Sequence, residues 1–248
     1  IAGGAMAVSI DVAYLDEVAA LLPEKIHLWR FRMWNHGYLG HFDEAVAAAD
    51  VGARMVHVST DFVFDGEGIV PYAPDDEPAP VSVYGQTKRD GELALMDVLP
   101  ESGIVVRTAW LYGEHGNNFV KTMLRLMNER DELSVVADQR GTPTWANSLA
   151  LSVWAFAKNV GVAGVYHWTD AGDATWHEFA LAIQEEAIAL GLLERQIVVR
   201  PISSSEYPTP ARRPAYSVLD CSSAQAALGL RPPDWRVNLR RMLEGMKK

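Results

Sequence analysis

Tyr84 and Lys88 stand four apart in the run Tyr84-Gly85-Gln86-Thr87-Lys88, so on a helix they share one face. A phenol titrates near pH ~10, and a cation beside it favours the phenolate and draws that value down. Such a phenol can pass its proton to a carbonyl oxygen as hydride reaches the carbonyl carbon, and the lysine can also hydrogen-bond a cofactor ribose. Taken alone, the spacing fits a solvated surface pair equally well. A second run changes that balance. Val56-His57-Val58-Ser59-Thr60-Asp61 reads as a strand entering a hydroxyl-rich turn. In doubly wound sheets ligands sit beyond the carboxyl ends of the strands. Thr60 or Ser59 is thereby placed to donate a hydrogen bond to the oxygen of a reacting carbonyl, with Asp61 beside it. The plainer alternative is that all three residues cap the next turn. The separation, 84 − 60 = 24 residues, suits a strand end, a loop and the helix that carries Tyr84 and Lys88.

These residues need a scaffold, and the chain supplies alternating helical and extended patterns, which predict an α/β architecture. Helices are expected over 16–22, 43–49, 82–99, 118–130, 147–159, 176–190 and 237–246. Thr175 and Glu178 form a capping box at the start of the sixth. Strands are expected over 54–59, 104–110, 134–137 and 165–168. The Ser- and Pro-rich stretch 203–214 reads as a loop. Residues 24–41, EKIHLWRFRMWNHGYLGH, have neither clean alternation nor a helical stripe and receive no assignment.

The chain has 248 residues, 49% hydrophobic, enough to bury a sizeable core as one large domain or two interleaved lobes. Its net charge of −10 argues against nucleic-acid binding by general electrostatics. The lone cysteine, Cys221, cannot close an internal disulfide, which fits a reducing cytoplasm; a buried small apolar residue is expected there rather than a nucleophile. No apolar run approaches the roughly 20 residues of a membrane span. Residues 1–10 are apolar without a basic leader and are expected to be a strand or a truncated beginning rather than a signal peptide. No His, Cys and carboxylate cluster has metal-ligand spacing.

Several motifs occur in order: VHVSTDFVFDG, PVSVYGQTKRDGE, VVRTAWLYGEHGNNFVKTMLRL, DQRGTPTWANSLA and EYPTPARRPAYSVLD, with Trp235 following. Over residues 43–248 the chain resembles the dTDP-4-dehydrorhamnose reductase family of extended short-chain dehydrogenase/reductases. The resemblance implies a Rossmann-like, doubly wound parallel sheet with a smaller α/β substrate-binding lobe. The dinucleotide-binding lobe would comprise 1–110 and 143–170, and the substrate-binding lobe 111–142 and 171–248. It implies NADPH or NADH as cofactor and a dTDP-sugar as substrate, whose 4-keto group is reduced in the cytoplasm, with a homodimer open. Thr60, Tyr84 and Lys88 would form the catalytic triad; Ser59, Tyr84 and Lys88 would meet the cofactor. Asp61, Phe62, Trp110, Asn118 and Arg212 would meet the substrate, with Asn117 and Arg213 beside them. Each has a plainer alternative: a strand-end core aromatic for Trp110, loop capping for Asn117 and Asn118, a surface pair for Arg212 and Arg213. Thr142 and Pro143 are expected to shape a turn.

The sequence also departs from the family. The G-x-x-G-x-x-G turn that cradles a cofactor pyrophosphate is missing, and residues 24–41 do not match the family's Asn-Ala-Ala-rich segment. The chain is therefore expected to lack the first β-α-β unit. Phe62 stands where the family has tyrosine, one hydroxyl fewer. Two other functions stay open: a reductase or epimerase for another nucleotide-sugar, and a non-catalytic subunit like the regulatory partner of methionine adenosyltransferase.

Overall fold

The computed structural model describes residues 6–9, 27–28, 40–207 and 213–247. Along the chain these form β1 (Met6–Ser9), β2 (His27–Leu28), α1 (Gly40–Asp50), β3 (Arg54–Thr60), α2 (Val83–Val98), β4 (Gly103–Thr108), β5 (Leu111–Tyr112), α3 (Phe119–Glu129), β6 (Glu132–Val136), β7 (Arg140–Gly141), β8 (Thr144–Trp145), α4 (Ala146–Lys158), β9 (Gly164–His167), β10 (Ala174–Thr175), α5 (Trp176–Ala189), β11 (Val198–Ile202), α6 (Ser222–Leu228) and α7 (Trp235–Gly245).

The main sheet has five parallel strands in the order β2-β1-β3-β4-β9. β3 and β4 are rich in β-branched residues, and β4 is buried throughout, as parallel strands covered on both faces must be. Alternate residues feed two cores. Met55 and Val105 pack with Ala45 and Ala48 of α1 and with Leu95 of α2. Val56, Val58, Ile104 and Val106 pack with Leu149, Val153 and Phe156 of α4 and Ala224 of α6. Helices on both faces make the sheet doubly wound, as expected.

A third core lies apart from that sheet. It gathers Met123 and Met127 of α3, Phe179 and Ile183 of α5, Leu239 and Met242 of α7, and Leu133 and Val199 of the parallel pair β6–β11. α5 starts at the predicted capping box, where Thr175 accepts from the Glu178 amide at 3.1 Å and Glu178 accepts from the Thr175 amide at 2.7 Å.

Several expectations need adjusting. The strand expected over 104–110 ends at Thr108, because Trp110 turns the chain with a positive φ of 47°. The last helix starts at Trp235 rather than 237, since the Asp234 side chain accepts from the Arg236 amide at 2.8 Å and caps it. The loop expected over 203–214 contains a 3-10 turn, Ser204–Glu206; residues 208–212 lie outside the described ones. The sheet extends beyond β3, in keeping with the strand expected within residues 1–10. β1 pairs with β3, and β2, from the unassigned stretch, pairs with β1. The edge of β3 thereby finds partners for its backbone groups. The helix expected over 16–22 lies outside the described residues. β5, β7, β8 and β10, two residues each, are too short to leave a period in the sequence. Among the described residues no helix is long and apolar enough to cross a membrane, and no cluster of His, Cys and carboxylates could hold a metal.

Candidate active site

β3 delivers Thr60 to its carboxyl end, where a 3-10 turn, Asp61–Val63, begins. The Thr60 hydroxyl accepts from the Phe62 amide at 3.2 Å and donates to Asp61 Oδ1 at 2.9 Å. The capping alternative for this hydroxyl is therefore realised, and Thr60 is buried. Asp61 is 2% exposed. Burial pushes its carboxyl up to about 6, against the opposing pull of the Ser217 and Thr60 hydroxyls. Its Oδ2 is buried with no hydrogen-bond partner among the described residues.

α2 begins after Ser82, whose hydroxyl accepts from the Gly85 amide at 3.0 Å. The first turn of α2 is pressed onto the turn behind Thr60. A Cβ at Gly85 would lie 2.1 Å from the Phe62 carbonyl oxygen, so only glycine allows this approach. The close approach brings Phe62 edge-on to Tyr84, ring centroids 5.6 Å apart. Tyr84 remains 40% exposed. One turn later, Lys88 Nζ donates to the Val58 carbonyl at 2.7 Å. Phenol and ammonium thus attach to the two residues that flank Thr60 by two positions, Phe62 and Val58.

Ser59, expected at the cofactor, faces the other way. It is buried, and its hydroxyl donates to Glu92 Oε1 of α2 at 2.5 Å. Alternation along β3 explains this: neighbouring side chains point to opposite faces of the sheet. Glu92 also accepts from Arg107 and Arg89. Burial alone would raise its carboxyl, but Arg107, Ser59 and Arg89 together hold it below the ordinary carboxylate range. His167, opposite Arg107 in register, is drawn down to about 4 by burial and by the Arg107 charge. It is therefore neutral near pH 7. Its Nδ1 donates to the Tyr72 carbonyl at 3.0 Å, which leaves Nε2 to accept from Arg107 at 3.4 Å.

Trp110 stacks on Trp176, centroids 3.5 Å apart and planes 6° from parallel. A Cβ at Gly141 would meet the Trp110 indole at 2.6 Å, so that glycine makes room for the ring. Asn118 caps α3: Oδ1 accepts from the Lys121 amide at 3.2 Å and Nδ2 donates to the Gly113 carbonyl at 2.7 Å. The capping alternative accounts for both ends of its amide. Asn117 is exposed. Thr142 and Pro143 are buried between β7 and β8, and the Thr142 hydroxyl donates to the Gly172 carbonyl. Arg212 lies outside the described residues. Arg213 is exposed at the wall of a cavity of about 1120 Å³, with Arg130, Asp65, Phe119, Trp176 and Tyr207. This cavity is close in size to those that hold organic ligands.

Sequence reasoning missed Glu92, Arg107 and His167. The signal for Arg107 was present: a lone charge inside the apolar strand run GIVVRT has to be paired. For Glu92 it was its place four residues beyond Lys88. Lys88 brings an ammonium and Tyr84 a partly exposed phenol to the carboxyl end of β3, the two groups that could hold the ribose of a nicotinamide cofactor.

A family model described as RmlD substrate binding domain matches residues 40–248. A dTDP-4-dehydrorhamnose reductase of Sinorhizobium fredii is 42% identical over 208 residues, which cover 80% of this chain and 68% of that protein. The dTDP-4-dehydrorhamnose reductase of Escherichia coli K12 is 44% identical over 204 residues, with 80% and 68% covered. Among solved structures, a dTDP-4-dehydrorhamnose reductase of Clostridium acetobutylicum superposes with TM-score 0.79 at 38% identity, covering 86% of this chain and 72% of that one. The dTDP-4-dehydrorhamnose reductase of Bacillus anthracis, in complex with NADP, superposes with TM-score 0.86 at 27% identity, covering 99% and 100%.

Proposed function

The chain belongs to the RmlD substrate binding domain family, and from that membership we propose that it reduces the 4-keto group of dTDP-4-dehydro-6-deoxy-L-mannose to dTDP-L-rhamnose with NADPH or NADH. One observation carries the proposal: Gly85 clamps the Tyr84/Lys88 helix onto the turn that Thr60 begins.

The bound cofactor supplies the hydride. The chain's residues handle the oxygen and its proton. Tyr84 gives its proton to the keto oxygen, and the Lys88 ammonium stabilises the phenolate left behind. Thr60 turns its hydroxyl from Asp61 to the developing oxyanion. Lys88 also holds the cofactor ribose. Asp61 accepts from a sugar hydroxyl through Oδ2, the buried oxygen that has no hydrogen-bond partner among the described residues. Phe62 and Trp110 border the sugar, and Asn118 holds the nearby loop in shape. Arg212 and Arg213 take the diphosphate, whose oxygens match a guanidinium fork.

The proposal divides the chain into a cofactor lobe, 1–110 and 143–170, and a substrate lobe, 111–142 and 171–248. The separate core around α3, α5 and α7 supports that division, while α6, within 171–248, packs Ala224 against the main sheet and so joins the cofactor lobe. It places the reaction in the cytoplasm, allows a homodimer, and involves neither nucleic acid nor membrane.

The test is to incubate the protein with NADPH and dTDP-4-dehydrorhamnose, identify the sugar product, and repeat with UDP-keto-sugars. Oxidation of NADPH with formation of dTDP-L-rhamnose is expected. Turnover of UDP-sugars alone would make it a different nucleotide-sugar enzyme. Binding of cofactor or sugar with no turnover would make it a non-catalytic subunit.

A further inference from the structure

Glu92 lies one turn beyond Lys88 and two beyond Tyr84 on α2, and it is fully buried. Its carboxylate ties the helix to two strands. The Arg107 guanidinium donates to both oxygens, from Nε at 2.9 Å and from Nη2 at 2.8 Å. The Ser59 hydroxyl donates to Oε1, and Arg89 of the same helix donates to Oε2 at 3.0 Å. Ser59 immediately precedes Thr60 on β3. Arg107 immediately precedes Thr108, the register partner of Thr60 on β4. Arg107 is itself 1% exposed and cannot shift freely. The Phe64 ring lies 5.0 Å from its carbon, the Pro74 carbonyl accepts from Nη1 at 3.2 Å, and neutral His167 closes the remaining side.

Apolar contact between a helix and a sheet is non-directional and tolerates small slides and rotations. A bidentate carboxylate–guanidinium pair does not, because both hydrogen bonds fix its geometry and a buried partner left alone is strongly penalised. Gly85 holds the first turn of α2 against the sheet edge, and Glu92 holds the third turn against the strand bodies. Tyr84 and Lys88 lie between these anchors.

We infer that Glu92 and Arg107 are positioning residues, a buried lock that sets the rotation and axial place of Tyr84 and Lys88 over the Thr60 strand end, with Ser59 as its third point. The kinetic part of this inference rests on the reductase proposal; the structural part does not.

Three measurements on the full chain test it: thermal unfolding, amide exchange of residues 83–90 by mass spectrometry, and steady-state kinetics. Two variants are compared. Glu92→Gln keeps the shape and removes the charge. The double variant Glu92→Leu with Arg107→Met replaces the pair by apolar groups, an exchange that often keeps stability, and it carries the test should the single variant not fold. In the double variant, unfolding near the wild-type temperature is expected. Exchange over 83–90 quickens about tenfold relative to β4, kcat falls at least about tenfold, and KM changes less than about twofold.

A pair that served stability alone would give wild-type exchange and wild-type kcat once stability returned, and that outcome overturns the inference. Should the wild-type chain turn over no keto-sugar, the reductase proposal fails. Exchange over 83–90 then decides the inference alone, with unchanged protection refuting it.

Discussion

Lys88 reaches across from α2 to donate to the Val58 carbonyl at 2.7 Å, two residues before Thr60. The ammonium is thereby tied to the same strand end as the hydroxyl, and the phenol of Tyr84 stands one turn away beside Phe62. The phenol, the ammonium and the Thr60 hydroxyl thus meet around the carboxyl end of β3, and in the proposed reaction they act as proton donor, cation and oxyanion partner. Preassembly of this kind lowers the reorganisation needed in the transition state.

Tyr84→Phe removes the proton donor alone. Because Tyr84 is 40% exposed, the change should leave stability within about 0.5 kcal/mol. Loss of a general acid is expected to lower kcat by about 10²–10⁴-fold, with sugar affinity measured by calorimetry unchanged. Wild-type turnover in this variant would remove the mechanism.

Gly85→Ala inserts a methyl where only 2.1 Å separates it from the Phe62 carbonyl oxygen. The first turn of α2 must lift away from the strand end. A loss of about 1–3 kcal/mol is expected, as for other overpacked sites. Turnover should fall beyond the loss of folded protein, because Tyr84 moves with the turn. Denaturant unfolding and single-turnover rates read the two effects separately.

Asp61→Asn gives a pH-dependent signature. The native carboxyl titrates at about 6, above its ordinary 3.8. The folded state therefore binds its proton more readily than the unfolded state, and its charged form is a burden above pH 6. That burden is relieved as pH falls from about 6 to about 4. Removing the charge should stabilise the protein by about 2 kcal/mol at pH 8, with the gain gone near pH 4. Sugar binding should weaken in the same variant. Equal stability of the two proteins at pH 8 contradicts this account.

Arg213→Ala tests the cavity as the seat of the diphosphate. A hydrogen bond between charged groups contributes about 1.5–3 kcal/mol, and exposure of Arg213 places it at the lower end. KM for the nucleotide-sugar should rise about tenfold with kcat little changed. Raised salt should narrow the gap between variant and wild type.

His167 makes the network beneath the site sensitive to acid. Its imidazole titrates at about 4, below the usual 6.5. Its neutral form therefore stabilises the fold above pH 6.5, and this contribution falls away as pH drops from 6.5 towards 4. His167→Gln should flatten the decline of Tm over that window. A parallel decline in variant and wild type would assign the acid sensitivity elsewhere.

Much of this architecture could be read from residue order. The β-branched runs at β3 and β4, the capping box at Thr175 and the Tyr84/Lys88 spacing each reflect a local preference that tertiary packing left intact. The illegible parts depend on partners distant in sequence. Trp110 looks like the continuation of a strand, yet it turns out of β4 to meet Trp176, 66 residues later (176 − 110). Ser59 and Thr60 are both strand-end hydroxyls, and only the pleat decides which meets Glu92 and which caps the following turn. The dipeptide strands β5, β7, β8 and β10 exist because longer elements bring them together.

The Trp110–Trp176 stack joins the end of the main sheet to the helix that leads the outlying core. Two indoles so close and so nearly parallel couple their electronic transitions. A displacement of one ring against the other would alter that coupling. The stack is therefore an intrinsic optical reporter of the junction it spans, legible in near-ultraviolet circular dichroism without a dye or a label.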